Sequence, residues 1–167
     1  HRLARQAAAE SMVLLKNEEN LLPLAAGSRV AIIGDFAIEP RYQGAGSSLV
    51  NPTCIETIEK VVEGYDLHVV GINRGYRRNG GEDAMMKKVA LELAASADVV
   101  LYFFGLDELS ESEGMDRTHM RIPQNQVELL EDLVKVNSNI VGILSAGAAV
   151  EMPWHYTFKA ILHGYLN

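Results

Sequence analysis

The sequence predicts an α/β domain: a three-layer sandwich with a mostly parallel sheet and helices on both faces. Short unbroken apolar runs closed by glycine are how strands buried on both faces read. Amphipathic helical patterns separate those runs, which is the order that right-handed crossovers between parallel strands require. The 167 residues are 48% hydrophobic and 22% charged, enough apolar surface for one core.

Taken in order, residues 3–16 read as an amphipathic helix, with Leu3, Ala7, Met12 or Val13, and Leu14 recurring at helical spacing before a break at Asn17. Leu21-Leu22-Pro23-Leu24 then docks as a loop. Val30-Ala31-Ile32-Ile33-Gly34 is the first predicted strand and His68–Ile72 the second. Asp98–Gly105 is the third and longest; Ile140–Leu144 and Ala160–Leu162 are the fourth and fifth. Helical patterns fall at about 53–63, 82–96 and 124–136, the last opened by Pro123 and carrying Val127, Leu129, Leu130, Leu133 and Val134. No repeat or low-complexity linker interrupts the chain, so one domain is expected over 1–167, with 1–24 a lead-in helix and linker and 25–167 the sheet and its helices. Two loops, 35–52 and 105–122, are longer than a crossover needs. Both follow strands, so both should leave the same sheet edge.

A net charge of −7 argues against nucleic acid as a partner, since phosphate binding needs clustered cations. Arg74, Arg77 and Arg78 read as a solvated loop. The apolar runs are strand length, well short of the roughly 18 to 20 residues that cross a bilayer. Cys54, the one cysteine, reads as a buried or inert thiol. The opening HRLARQAAAESMVLLKNE has no apolar core of the signal-peptide type, and the compartment stays open.

Motif tests exclude more. Gly44-Ala45-Gly46-Ser47-Ser48-Leu49 lacks the third glycine of a dinucleotide fingerprint and starts ten residues after Gly34, outside the strand-to-helix turn. No phosphate loop and no G-x-S-x-G element is present. His1, His68, His119, His155 and His163 are scattered without metal-ligand spacing, so each reads as structural and neither metal nor cofactor is expected.

Two loop segments remain. The glycines of Gln43–Ser48 either serve a turn or let a polar ligand approach Ser47 and Ser48, which can donate hydrogen bonds. The stretch SESEGMDRTH, residues 110–119, brings Glu111, Glu113 and Asp116 to the end of an apolar strand. A carboxyl group partly desolvated there keeps its proton, which makes a general acid. Asp116 and Arg117 can pair and order the loop, leaving Glu111 or Glu113 for a ligand. Three acids in a loop are more often simply a solvated surface, and the residues alone leave both readings open.

The chain resembles the second, α/β-sandwich domain of family 3 glycoside hydrolases, the β-glucosidase and β-xylosidase group. Ala9–Asn17 with Leu21–Leu24 is similar to the family's leading segment, and Val30–Gly34 to its first strand. Gly44–Ser48 is similar to its glycine-serine loop, and Glu111-Ser112-Glu113-Gly114-Met115-Asp116-Arg117 with Ile122–Gln126 to its acid-bearing loop and helix start. Val150-Glu151-Met152-Pro153-Trp154 is similar to the stretch after the fourth strand.

The resemblance implies a retaining β-glycosidase acting on terminal β-linked sugars such as glucosides. It is built from a (β/α) barrel that supplies an aspartate nucleophile and from this domain, which supplies the acid/base. By position before the glycine that role falls to Glu113, with Glu111 the alternative. Ser47 and Ser48 are candidates to bind substrate. Asp116 and Arg117 sit beside the site and are expected to stabilise the loop more than to touch sugar. Without the barrel the chain should be inactive. Where the family usually continues past His163–Asn167, an uncovered strand edge is expected, and with it self-association. The alternative is a non-catalytic interaction or small-molecule-binding α/β domain.

Overall fold

The apolar runs are strands in a computed structural model that describes residues 1–166. In chain order the elements are α1 (Arg2–Ser11), β1 (Val13–Asn17), β2 (Ser28–Ile33), α2 (Asp35–Ile38), α3 (Ile58–Val62) and β3 (Leu67–Asn73). They continue with α4 (Ala84–Ser96), β4 (Val99–Gly105), α5 (Gln124–Val136), β5 (Ile140–Ser145) and β6 (Ala160–Tyr165). One six-stranded sheet runs in the order β1-β6-β5-β4-β2-β3. Five strands are parallel, and β1 joins antiparallel to β6.

The expected helix over 3–16 therefore ends as a strand. It stops at Ser11, Met12 turns extended, and Val13 to Asn17 pair with His163 to Ala160. Helical spacing and a short apolar run are compatible with the same letters, and the ladder offered by β6 decides between them. The edge expected near the chain's end falls on β1 and not on β6, which pairs with β5 on one side and β1 on the other; Asn167 falls outside the described residues. The helix expected over 53–63 shortens to Ile58–Val62, since only Ile58 and Val62 find core to pack against. Cys54 is left exposed rather than buried.

Both faces are covered. On one, Ala31, Ile33, Val100, Tyr102 and Phe104 pack under α4 and α5. Phe104, Trp154 and Phe158 interlock there with ring centroids 5.1 to 5.8 Å apart. On the other face Val30, Ile32, Val99 and Val141 meet the short helices α2 and α3 and the leucines Leu21, Leu22 and Leu24. Alternation of side chains along β2 and β4 feeds the two faces in turn.

The strand order positions the site. From β2 the chain crosses to the edge strand β3, then passes back over β2 to enter β4 on its other side. The loops after β2 and β4 thus leave adjacent carboxyl ends where the order reverses, the crevice in which open α/β sheets bind ligands. Each loop opens on a glycine in the positive-φ region. A Cβ at Gly34 (φ 130°) would lie 1.9 Å from the Phe103 carbonyl oxygen, and one at Gly105 (φ 147°) 1.9 Å from that of Ser145. Only glycine lets the chain turn off the sheet this close to its neighbours. The buried Gln126 of α5 then fixes the second turn: its Oε1 accepts the Gly105 N–H at 2.8 Å, and its carbonyl accepts the Tyr102 hydroxyl at 2.8 Å.

Candidate active site

Three loops meet above the carboxyl edge: 35–52 after β2, 105–122 after β4, and 146–154 after β5. Their meeting point is the Glu111 carboxylate. It accepts the backbone N–H groups of Gly147, at 3.0 Å, and Ala148, and it forms an ion pair with Arg41 from the first loop. The Arg41 side chain is fully buried and that of Glu111 only 9% exposed. Arg41 Nη1 also donates to the Leu106 carbonyl at 2.8 Å, so one guanidinium holds the second loop at its start and again five residues further on. Burial alone would push the Glu111 carboxyl up; the Gly147 N–H, the Arg41 guanidinium and the Ala148 N–H outweigh it and hold the carboxyl below its usual value.

Glu113, two residues on, is exposed. Its carboxylate accepts a hydrogen bond from the Ser47 hydroxyl, and among the described residues no cation pairs with it. Ser47 belongs to a single 3₁₀ turn, Gly46–Ser48, so the glycine-serine segment and the acidic segment touch at this point. The Ser48 hydroxyl is spent within that turn, on the Ala45 carbonyl at 3.2 Å.

Asp116 and Arg117 do not pair among the described residues. Asp116 is exposed, while Arg117 turns to the third loop and donates to the Ala149 carbonyl at 3.2 Å. Loop ordering comes from Glu111 and Arg117 instead. The basic cluster is not a solvated loop either. Arg74 and Arg78 both pair with the buried Asp35 at the start of α2, Arg78 through Nε at 2.6 Å. Arg78 also reaches Glu108 at 2.9 Å and lies 4.6 Å over the Phe36 ring. Arg77 pairs with Asp83, the N-cap of α4, at 2.7 Å. Charges separated by some 40 residues of sequence become neighbours because β2 and β3 are adjacent. Sequence reading missed Arg41, Asp35 and Arg78. Its available signal was one lone arginine in the first long loop opposite the acids of the second, which does not say which carboxylate is met.

The described residues hold no group of three His, Cys, Asp or Glu placed to bind a metal ion, and no helix long and apolar enough to cross a membrane.

Comparison with known proteins decides what the arrangement belongs to. The family description "Glycosyl hydrolase family 3 C-terminal domain" fits residues 12–167. The chain belongs to glycoside hydrolase family 3. It is 49% identical to thermostable beta-glucosidase B of Acetivibrio thermocellus over 170 aligned residues, covering 100% of this chain and 22% of that protein. It is 38% identical to an exo-alpha-(1->6)-L-arabinopyranosidase of Bifidobacterium breve, over 98% of this chain and 23% of that protein. Among solved structures, a family 3 beta-glucosidase of Bifidobacterium adolescentis superposes with a TM-score of 0.91 at 43% identity, over 99% of this chain and 24% of that one. This family 3 domain thus spans less than a quarter of the length of each of these three relatives.

Proposed function

We propose that this family 3 domain supplies the acid/base of a retaining β-glycosidase, that Glu113 is that residue, and that a barrel domain supplies the nucleophile. The observation that carries it is the contrast between two glutamates on one loop. Glu111 is spent on Arg41 and two backbone N–H groups, whereas Glu113 stands exposed at the switch point with a serine hydroxyl for company. A proton donor must be free to give up its proton at the substrate, and of these two glutamates Glu113 meets that condition.

In the first step the barrel's carboxylate attacks the anomeric carbon. The glycosidic C–O bond breaks, and the Glu113 proton passes to the departing oxygen. In the second step the Glu113 carboxylate takes a proton from water, whose oxygen displaces the enzyme carboxylate from the sugar. In this class the two carboxyl groups stand about 5 to 5.5 Å apart, so the exposed loop edge faces the barrel closely. Leu49, Val50, Leu109, Met115 and Met120 are large apolar side chains exposed on those same loops, in keeping with a face that another body covers. The isolated domain then has no nucleophile and does not turn over glycosides. The relatives' names span glucosides and arabinopyranosides, consistent with sugar choice residing in the barrel.

The test joins the domain to a family 3 barrel and compares aryl β-glucosides. Glu113→Gln is expected to lower kcat/KM by about 10²- to 10⁴-fold for a phenyl leaving group that needs a proton. A dinitrophenyl leaving group, which departs unaided, should be far less affected at the first step. Azide should restore turnover by replacing the water that needs a base. Unchanged turnover of the phenyl glucoside by Glu113→Gln would remove the assignment.

A further inference from the structure

We infer that Glu111, held by Arg41, is the positioning residue for the acid/base: its carboxylate ties the acid-bearing loop to both neighbouring loops and so sets where Glu113 stands. The inference rests on the reading of Glu113 just given and names the device that aims it.

The loops form a closed circuit. Arg41 on the first loop pairs with Glu111 on the second; two residues further on, Glu113 accepts the hydroxyl of Ser47, six residues beyond Arg41 on the first loop again. One of these cross-links is a buried charge pair and the other is exposed, so the buried pair fixes the geometry of the exposed one. The Leu106 carbonyl on Arg41 and the Gly147 and Ala148 amides on Glu111 remove the remaining freedom of the loop on either side.

Energetics point the same way. A buried arginine–carboxylate pair gains little stability over apolar side chains of equal volume, because desolvation offsets the attraction. Here the expense is raised further: Arg41 Nε and Nη2 are buried without a hydrogen-bond partner among the described residues. Such a pair is a poor way to fill a core and a good way to force one loop arrangement over its neighbours. A flexible acidic loop would leave the proton donor misplaced for much of the time, and a displacement of about 1 Å at a reacting group can cost about 10²-fold in rate.

The experiment uses the enzyme with its barrel and reads kcat/KM on phenyl and dinitrophenyl β-glucosides, with melting temperature and the pH–rate profile in parallel. Glu111→Gln and Arg41→Met are expected to lose about 10- to 100-fold on the phenyl glucoside and less than about 3-fold on the dinitrophenyl one. The basic limb of the profile, which reports the proton donor, should move with them. Arg41→Lys, keeping the charge, should recover part of the loss. Should the single variants fail to fold, the double variant Arg41→Met with Glu111→Leu leaves no lone buried charge and is expected to fold with the same selective loss. Equal losses on both substrates, or none in the folded double variant, would overturn the inference. Glu113→Gln in the same assay separates the two ideas. If it shows the selective loss and the Arg41 and Glu111 variants do not, the positioning role falls while the acid/base reading stands. If Glu113→Gln shows no selectivity, both fall.

Discussion

Glu111 and Glu113 are two residues apart on one loop, and their surroundings are opposites. The first arm of the loop, from Leu106 to Glu111, is strapped to the protein by a buried guanidinium, which meets both the Leu106 carbonyl and the Glu111 carboxylate, and by two amides. The second arm, from Glu113 to Asp116, is exposed, and its one side-chain tie among the described residues is the hydroxyl of Ser47. The same side chain is locked in a buried ion pair in the first setting and exposed beside a serine hydroxyl in the second. Environment assigns the role, and neighbouring glutamates can share a sequence without sharing a job.

The sharpest way to break this comparison is to exchange the consequences of losing each carboxylate. With the barrel present, Glu113→Gln should remove about 10²- to 10⁴-fold of phenyl-glucoside turnover, equivalent to about 3 to 5 kcal/mol of barrier, while chemical denaturation shifts by less than about 0.5 kcal/mol. A large stability loss would put Glu113 in the strapped arm.

Next in size is Gly105→Ala, which strikes the root of both arms. Its Cβ would meet backbone, which gives way less than a side chain does, so a loss of at least about 3 kcal/mol in urea unfolding is expected. Arg41→Met should cost about 3 kcal/mol in the same measurement, because it leaves the Glu111 carboxylate buried beside no cation. A near-neutral result would mean that the first arm is held by the amides alone.

A pH titration of stability sharpens the contrast further. The folded Glu111 carboxyl lies below its ordinary value of 4.5, so the unfolded chain binds the proton more readily. Its contribution is complete above that ordinary value and is lost as pH falls through the folded pKa. Glu111→Gln should therefore flatten the acid side of the stability curve. The smallest effect belongs to the open arm: Asp116→Asn, with no ion pair to lose among the described residues, should change stability by less than about 0.5 kcal/mol by thermal melt.

Most of the frame was legible in the letters. Val30–Gly34, Asp98–Gly105 and Ile140–Leu144 announce buried strands through unbroken apolar runs, and 82–96 and 124–136 announce helices through spacing and a proline start. The two long loops were legible as well, because each follows a strand and exceeds crossover length. Val13–Asn17 was not, since its letters suit helix and strand alike and β6 settles the matter from 140 residues away. Nor was the place of the basic cluster: Arg74 and Arg78 look solvated until β3 is laid beside β2 and Asp35 comes within reach.

By itself, then, the amino-acid order determined an alternating α/β chain, the glycines that end its strands, and a loop whose stretch 110–119 carries three acids. Which acid is buried and which is free was decided only in three dimensions. Hydrophobic period and turn chemistry act over a few residues and can be read locally, whereas the state of a carboxyl group depends on what cation and which amides lie within a few ångströms, and those come from loops that only the folded sheet brings together.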